Sequence, residues 1–243
     1  MSDAGVAVVT GGAGGVGAEV VARLRASGLR VIAGGRSSSS RTDDDGTVWR
    51  AIDVAQSASV EAALDAATEL GPLRVVAGCH GITTSTPLES LSDEDLTATL
   101  NINLAGTIRL LRGAATRMRD GGAIVTVSSV GGSRGFASHG VVYGASKAGL
   151  ESVTRYYAAG LAPRGIRVNT VVPGPLDHTM GGAAGAEVRA GLGDFEAAIK
   201  SLIPLGRPVT VAEVADAIAF LASDEASGIT GAALPVDGGL LAR

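Results

Sequence analysis

The chain has 243 residues, of which 46% are hydrophobic and 18% are charged, and its formal net charge is −4 at pH 7. A single domain of this size buries roughly 70–75% of the surface of its unfolded chain, so it needs neither disulfides nor structural metals. The negative charge and the lack of a Lys/Arg run argue against a nucleic-acid partner. No apolar run approaches the roughly 18 residues of a membrane span, so no membrane partner is expected.

Cysteine usage indicates the compartment. Cys79 is the only cysteine, which excludes an internal disulfide and a cysteine-based metal cluster. The N-terminal segment MSDAGVAVVTGG has no basic region and runs directly into a strand, so no signal peptide is expected. We therefore expect a cytoplasmic location.

Apolar runs alternate with helical patterns along the chain. The runs predict seven buried strands, at residues 5–10, 29–33, 47–52, 73–78, 123–127, 166–172 and 232–236. Apolar residues at helical spacing predict helices at about 16–28, 60–71, from 92 onward, 142–161 and 210–221. The polar stretch 37–45 is predicted to be a surface loop. The alternation predicts an α/β fold in which one domain, residues 1–243, is built on a doubly wound, seven-stranded parallel sheet with helices on both faces.

A glycine-rich segment between the first strand and the first helix predicts a phosphate-binding loop. It reads Thr-Gly-Gly-Ala-Gly-Gly-Val-Gly over residues 10–17. Glycines let the backbone approach a pyrophosphate, and the helix N-terminus presents free N–H groups to it. The alternative is a tight strand-to-helix turn without a ligand. The predicted contacts are Thr10, Gly11, Gly15, Val16 and Gly17.

Tyr143 and Lys147 are four residues apart in a predicted helix, and therefore lie on the same face one turn apart. An ammonium group beside the phenol favours tyrosinate, so we expect Lys147 to lower the pKa of Tyr143. A phenol adjusted in this way can give a proton to a carbonyl oxygen or take one from an alcohol. The pair predicts acid/base chemistry.

The loop spacing Thr-Gly-x-x-x-Gly-x-Gly and the Tyr-x-x-x-Lys pair resemble the short-chain dehydrogenase/reductase family, and in particular its 3-oxoacyl-[acyl-carrier-protein] reductases. The resemblance extends to the last strand and so covers essentially the whole chain. It implies a single Rossmann-type domain and an NAD(P)(H)-dependent oxidoreductase. The implied reaction interconverts a ketone and a secondary alcohol by hydride transfer.

The resemblance also implies the catalytic residues. Tyr143 is the acid/base, and Lys147 additionally holds the nicotinamide ribose. Ser129, the second serine of the pair with Ser128, would hydrogen-bond the substrate oxygen, although it lies 14 residues before Tyr143 instead of 13. Asn103 fits the Asn-Leu-x-Gly pattern of the family and would hold a water molecule in a proton relay to the lysine.

The end of the second strand bears on the choice of cofactor. Gly35 stands about 18 residues after the last loop glycine, where NAD-binding folds carry an acidic residue for the adenosine ribose. Arg36 follows, and could pair with a 2′-phosphate or stack on adenine. These two residues favour NADP(H) over NAD(H), while the lack of a basic residue in the glycine-rich loop counts against it. The alternative for Arg36 is an ordinary surface position.

Further cofactor contacts follow from the resemblance alone. They are Asp53, Val54, Gly81, Pro173, Gly174 and either His178 or Thr179. The chain departs from the family where Gly78-Cys79-His80-Gly81 replaces the usual Asn-Asn-Ala-Gly. We interpret Cys79 and His80 as structural residues, and leave open whether His139 lines the pocket or begins a helix. No metal site is expected, because the three histidines are scattered.

The expected activity is the NADPH-dependent reduction of a small-molecule ketone, or the reverse oxidation. The alternatives are a non-catalytic NADP(H)-binding sensor or scaffold on the same fold, and an isomerase or dehydratase that uses the same tyrosine. Residues 176–208 are rich in glycine and alanine and would form a lid over a rather apolar substrate. The resemblance further implies a homo-oligomer, either a tetramer or a dimer.

Overall fold

The computed structural model describes residues 5–83, 88–135, 140–177 and 201–242. In these residues the strands are β1 (Val6–Thr10), β2 (Arg30–Gly35), β3 (Arg41–Thr42), β4 (Val48–Ala51), β5 (Leu73–Gly78), β6 (Ala123–Val127), β7 (Arg167–Pro173) and β8 (Ala233–Val236). The α-helices are α1 (Gly15–Ala26), α2 (Ser57–Leu70), α3 (Asp93–Thr99), α4 (Gly106–Arg117), α5 (Val141–Leu161) and α6 (Val211–Ala222).

The strands form one sheet in the order β3-β4-β2-β1-β5-β6-β7-β8. All neighbouring pairs are parallel except β3 with β4. The doubly wound α/β prediction is confirmed, but the predicted count of seven strands misses β3, which lies inside the polar stretch predicted to be a loop. A two-residue strand without hydrophobic alternation leaves no periodic signal in the sequence.

Two hydrophobic layers cover the sheet because side chains alternate between its faces along each strand. Val6 and Val8 of β1 point into the layer formed with α2, α4 and α5, whereas Ala7 and Val9 point into the layer formed with α1 and α6. All four are fully buried. The central strands are therefore covered on both faces, as a parallel sheet requires.

The strand order reverses at β1, which is flanked by β2 on one side and by β5 on the other. In doubly wound sheets, ligands bind outside the carboxyl ends of the strands at such a reversal. The glycine-rich segment follows β1 at this point. The topology therefore directs attention to the edge where β1, β5 and β6 end.

Helix boundaries follow local capping signals. Thr210 and Glu213 form the predicted capping box at the start of α6. Ser92 caps α3 by accepting a hydrogen bond from the Asp95 N–H group. A π-helical turn, Leu100–Ala105, joins α3 to α4. Such turns are rare and frequently occur at functional sites. Among the described residues, none of the helices has both the length and the apolar character needed to cross a bilayer.

Candidate active site

The glycine-rich segment after β1 forms a tight turn into α1. Gly11 has a φ of 69°, and a Cβ there would lie 2.7 Å from the carbonyl oxygen of Cys79, so only glycine fits. Gly14 caps α1 without a side-chain hydrogen bond to the first turn, residues 15–17. The N–H groups of this turn lack intrahelical partners and carry the positive end of the helix dipole. They therefore form a surface suited to an anion.

The side chain of Thr10, at the end of β1, forms a hydrogen bond with His80. Thr10 Oγ1 lies 2.7 Å from His80 Nδ1, and the other ring nitrogen lies 3.3 Å from Thr107 Oγ1 on α4. Burial, and then the charge of Lys147, lower the pKa of His80 to about 3, so the ring is neutral at physiological pH. A neutral imidazole has one donor and one acceptor nitrogen, which match the two hydroxyl groups. His80 thus joins the end of β1 to α4.

Cys79 precedes this histidine and is the only cysteine in the chain. Burial raises the pKa of the Cys79 thiol to about 12, against a smaller lowering by the charge of Lys147. The thiol therefore stays protonated at neutral pH, whereas the thiolate is the nucleophilic and metal-binding form. The interpretation of Cys79 as a structural residue stays a prediction.

Two adjacent serines follow β6 and face different partners. Ser128 is buried, and its hydroxyl donates to Glu151 Oε1 at 2.7 Å between β6 and α5. Ser129 Oγ accepts a hydrogen bond from the Gly131 N–H group at 3.1 Å. The Ser129 side chain is also hydrogen-bonded to the side chain of Tyr143. Of the two serines, Ser129 is the one that meets the tyrosine.

A close contact between a turn and a helix holds Ser129 against Tyr143. The turn, residues 130–132, packs on α5 at Gly132, where a Cβ would lie 2.8 Å from the Ala148 nitrogen. A Cβ at Gly144 would lie 2.6 Å from the carbonyl oxygen of Gly131. Backbone approaches backbone at both points, so a side chain larger than hydrogen would push the turn off the helix.

Tyr143 lies in the first turn of α5 and is 6% exposed. Burial raises the pKa of Tyr143, and the hydrogen bond with Ser129 opposes this rise in part. The expectation that Lys147 lowers the pKa of Tyr143 is therefore wrong for this chain by itself. The physical reason is that burial of the phenol dominates, while the ammonium group lies 5.7 Å from the ring centroid and is directed elsewhere.

Lys147 Nζ donates to the carbonyl oxygen of Val127 at the end of β6, at 2.7 Å. Burial lowers the pKa of Lys147 to about 8, so the side chain remains largely charged at neutral pH. A Cβ at Gly81 would lie 3.4 Å from Lys147 Nζ and 3.5 Å from Asn103 Oδ1. The lysine and the asparagine therefore border the same space beside Gly81.

Asn103 is fully buried in the π-helical turn. Its Oδ1 accepts from the Ile82 N–H group at 2.8 Å, and its Nδ2 donates to the Ile82 carbonyl oxygen at 2.9 Å and to Ser146 Oγ at 3.1 Å. An amide oxygen has two lone pairs, so one acceptor position on Oδ1 remains. The predicted role of Asn103 in holding a water molecule stays a prediction.

The residues after β4 are held by local hydrogen bonds. Asp53 Oδ1 accepts from the Ala55 N–H group at 3.0 Å. The Val54 side chain is buried and would be 2.8 Å from a Cβ at Gly106. Only the backbone of Val54 is therefore left to meet a ligand, and the predicted contact of these two residues with adenine stays a prediction.

Pro173 ends β7 and Gly174 follows it against the segment after β8. A Cβ at Gly174 would lie 2.8 Å from the Cα of Asp237. The Asp237 carboxylate accepts from the N–H groups of Gly239 and Leu241, each at 2.8 Å. The turn is thus fixed next to the other strand ends. Its predicted contact with nicotinamide is not tested by these packing contacts.

Several predicted positions lie outside the described residues. His178 and Thr179, between which the nicotinamide contact was left open, are among them, as is His139. Of the predicted lid, residues 176–177 and 201–208 are described, and Leu176 forms an isolated bridge with Val209. Groups of three or more His, Cys, Asp or Glu side chains that could hold a metal ion are absent from the described ranges.

A cavity of about 590 Å³ lies beside the end of β2. Its lining includes Gly35 and Arg36, and a Cβ at Gly35 would meet nothing within 4 Å. The Gly35 N–H group donates to Ser38 Oγ at 3.0 Å, which fixes the turn that carries Arg36. The full lining is Gly12, Ala13, Ala18, Gly35, Arg36, Ser37, Ser38, Arg41 and Trp49.

Arg41 and Trp49 also line this cavity and were not predicted from the sequence. Both belong to the hairpin of β3 and β4, where Arg41 pairs with Trp49 across the strands. Arg41 lies within a polar run, which is typical of a solvated loop. The one available signal was that Trp49 is the only tryptophan of a chain with few aromatic residues.

The residues present fit a nicotinamide dinucleotide. The first turn of α1 suits the pyrophosphate, and the open space at Gly35 and Arg36 suits the adenosine ribose. The space beside Gly81, bordered by Lys147 and Asn103, suits the second ribose. The three positions follow the carboxyl ends of the strands, and the space beside Gly81 is the one that adjoins Lys147 and Tyr143.

Comparison with known proteins agrees with this arrangement. Residues 11–241 match the protein family described as Enoyl-(Acyl carrier protein) reductase. The chain belongs to the short-chain dehydrogenase/reductase family. As a member of it, the protein is an oxidoreductase that interconverts an alcohol and a ketone.

The curated relatives are dehydrogenases and reductases. D-threitol dehydrogenase of Mycolicibacterium smegmatis is 39% identical over 98% of this chain and 93% of its own length. Cis-4-hydroxycyclohexanecarboxylate dehydrogenase of Sinomonas cyclohexanicum is 39% identical over 98% of this chain and 96% of its own length. The 3-oxoacyl-[acyl-carrier-protein] reductase MabA of Mycobacterium avium is 35% identical over 96% of this chain and 88% of its own length.

A solved short-chain dehydrogenase/reductase structure carries a nicotinamide cofactor. It is the blue fluorescent protein from a metagenomic library in complex with NADPH, which is 31% identical and superimposes with a TM-score of 0.81. The match covers 97% of each chain.

Proposed function

We propose that this protein reduces a small-molecule ketone with NADPH, or oxidises the corresponding alcohol with NADP⁺, using Tyr143 as the acid/base. The observation that carries the proposal is the meeting of Ser129, Tyr143 and Lys147 at the end of β6. A buried phenol that is hydrogen-bonded to a hydroxyl, beside a buried ammonium, has the parts needed to protonate an oxygen.

Each of these side chains has a separate task in the reductive direction. The bound dinucleotide supplies the hydride that is added to the carbonyl carbon. Tyr143 donates its proton to the carbonyl oxygen, and the Ser129 hydroxyl donates a hydrogen bond to the same oxygen as negative charge develops on it. Lys147, whose ammonium is charged below a pKa of about 8, holds the nicotinamide ribose beside Tyr143.

Asn103 acts beside Lys147 in this proposal. Its amide clamps the backbone of Ile82, which keeps the space beside Gly81 open. The unused lone pair of Oδ1 holds a water molecule at the border shared with Lys147 Nζ. A proton can then pass from this water to Tyr143 by way of the Lys147 ammonium group.

The preference for NADP(H) rests on the end of β2. Gly35 brings no carboxylate to this position, and Arg36 lines the cavity next to it. A carboxylate would repel a 2′-phosphate, whereas a guanidinium can bind it with two hydrogen bonds. The NADPH-bound blue fluorescent protein, at 31% identity, supports the same preference.

The proposal also covers the alternative functions, the cellular location and the oligomeric state. The comparisons favour neither a sensor or scaffold nor an isomerase or dehydratase. The single cysteine supports a cytoplasmic location. Resemblance to the family supports a homo-oligomer, a dimer or a tetramer.

The proposal is tested by following NADPH absorbance with purified protein and an acetoacetyl thioester. The reverse reaction is followed with NADP⁺ and either D-threitol or cis-4-hydroxycyclohexanecarboxylate, the alcohols named in the two dehydrogenase relatives. We expect turnover with NADPH that Tyr143→Phe abolishes while NADPH binding is retained. Turnover that survives in Tyr143→Phe would contradict the assigned acid/base.

A further inference from the structure

Arg41 stands on the edge strand of the sheet and faces the nucleotide cavity. It lines the same cavity as Arg36, which lies five positions earlier, directly after β2, whereas Arg41 begins β3. The lining contains two arginines and two serines but no carboxylate. A pocket with these groups offers charge and hydroxyl donors to a dianion.

Arg41 is held in place from two sides. Its Nε donates to Asp43 Oδ1 at 2.8 Å, and its guanidinium stacks 4.7 Å from the centroid of the Trp49 ring. Asp43 Oδ2 in turn accepts from Trp49 Nε1 at 2.6 Å. Trp49 is itself partly buried against the hydrophobic layer of α1 and α6. The three side chains therefore form one assembly in which the position of the arginine is set in advance.

The assembly leaves most of the guanidinium for a ligand. An arginine has five N–H donors, and the bond to Asp43 uses the one on Nε. The side chain keeps 47% of its surface exposed. Its terminal nitrogens therefore remain accessible at the cavity, and the ion pair with Asp43 orients them without enclosing them.

The hairpin that carries Arg41 is also fixed to the domain. Asp45 pairs with Arg25 near the end of α1 at 2.5 Å, and Gly46 closes the hairpin turn with a φ of 84°. β4 pairs with β2 in a register that sets Trp49 opposite Ala33. Arg41 thus lies on the edge strand β3, and Trp49 lies on the neighbouring strand β4, which pairs with β2 up to Gly35.

We infer that Arg41 is a second cation for the 2′-phosphate of NADP(H), in addition to Arg36. The inference rests on the proposed function, since it concerns the cofactor named there. It also accounts for the glycine-rich loop, where Ala13 lines the cavity and no basic residue is present. In this chain the β3–β4 hairpin supplies that charge in place of the loop.

Binding of nucleotide fragments tests this without any turnover. The probes are 2′,5′-ADP, which carries the 2′-phosphate, and 5′-AMP, which lacks it. Titration calorimetry of the whole protein gives both dissociation constants. Trp49 fluorescence gives a second readout, because the chain has no other tryptophan. The variants are Arg41→Ala, Arg36→Ala and, as a matched control, Arg50→Ala. Arg50 follows Trp49 on β4 and so points to the opposite face of the sheet.

We expect Arg41→Ala to weaken 2′,5′-ADP binding about tenfold, the loss of one charge-assisted contact, and to leave 5′-AMP binding unchanged. Arg36→Ala should act in the same direction, and Arg50→Ala should change neither constant. An equal loss for both nucleotides would overturn the inference, because Arg41 would then serve adenine or the fold. No loss for either would overturn it as well.

The proposed function fails separately from this inference. If the wild-type protein binds 5′-AMP as tightly as 2′,5′-ADP, the role of Arg41 is wrong. Turnover that depends on Tyr143 would nevertheless stand with NADH. If Tyr143→Phe keeps full turnover, the catalytic assignment is wrong. Arg41→Ala would still be expected to weaken the binding of 2′,5′-ADP selectively.

Discussion

Ser128 and Ser129 are neighbours in the sequence, but their side chains serve different parts of the molecule. Ser128 donates to Glu151 at 2.7 Å inside the packing of β6 on α5. Ser129 is instead hydrogen-bonded to Tyr143. Successive side chains in an extended segment point in opposite directions, so a one-residue difference decides which serine reaches the site.

This difference predicts opposite outcomes for two alanine variants. Ser129→Ala should lower kcat by ~10²–10³-fold, as removal of an oxyanion donor does, with little change in unfolding free energy. Ser128→Ala should lower the unfolding free energy by about 1–2 kcal/mol, because Glu151 loses a buried partner, and should affect kcat less. Steady-state kinetics and urea denaturation of both variants check this. A larger kcat loss in Ser128→Ala would reverse the assignment.

Lys147 predicts the alkaline limb of the reductive activity. Because the folded pKa of Lys147 is about 8, its charge is present below this pH and is lost above it. We expect kcat/KM for ketone reduction to fall as the pH rises through about 8. The arginine of Lys147→Arg stays charged at higher pH. Whatever activity this variant keeps should therefore show no fall in kcat/KM near pH 8. An unchanged limb in that variant would show that another group titrates.

His80 predicts a pH dependence of stability. Its pKa is about 3 in the folded chain and 6.5 without the fold, so the unfolded chain takes up a proton that the folded chain does not. Stability from this residue is present above about pH 6.5 and is lost progressively as the pH falls. Between about pH 5 and pH 6.5, the unfolding free energy of His80→Gln should therefore depend less on pH than that of the wild type. Parallel curves would contradict this.

The turn after β1 predicts a contrast between two glycines. A Cβ at Gly17 would clash with the carbonyl oxygen of Gly11, which cannot move without opening the loop. Gly17→Ala should therefore abolish binding of both NADPH and NADH. Gly160→Ala, at a helical position where a Cβ meets nothing within 4 Å, should keep binding and add about 0.5–1 kcal/mol of stability. Calorimetric titration and thermal unfolding measure both effects.

Local sequence signals accounted for most of the scaffold. The alternation of buried strands and amphipathic helices predicts the parallel sheet, and Thr210 with Glu213 marks the start of α6. Tyr143 and Lys147 were found because a helix brings residues four apart onto one face. These features depend on neighbours in the chain, which the sequence displays directly.

Features that depend on distant contacts were not predictable. β3 pairs across a hairpin without a hydrophobic pattern, so the sequence predicts a loop at Arg41 and does not reveal its contacts with Asp43 and Trp49. The spacing of Tyr143 and Lys147 does not reveal burial, or that Lys147 turns to the Val127 carbonyl. For this reason the sequence predicts a lowered pKa for Tyr143, whereas burial in the structure raises it.

In the proposed reaction, Tyr143 donates the proton that accompanies hydride transfer from NADPH to a ketone. The most direct measurement uses NADPH deuterated at the transferred position and follows deuterium into the alcohol by mass spectrometry. The matched control is Tyr156→Phe, on the same helix, whose side chain is 79% exposed. We expect deuterated alcohol from the wild type and from Tyr156→Phe, and none from Tyr143→Phe although it still binds NADPH. Deuterated alcohol formed by Tyr143→Phe at the wild-type rate would contradict it.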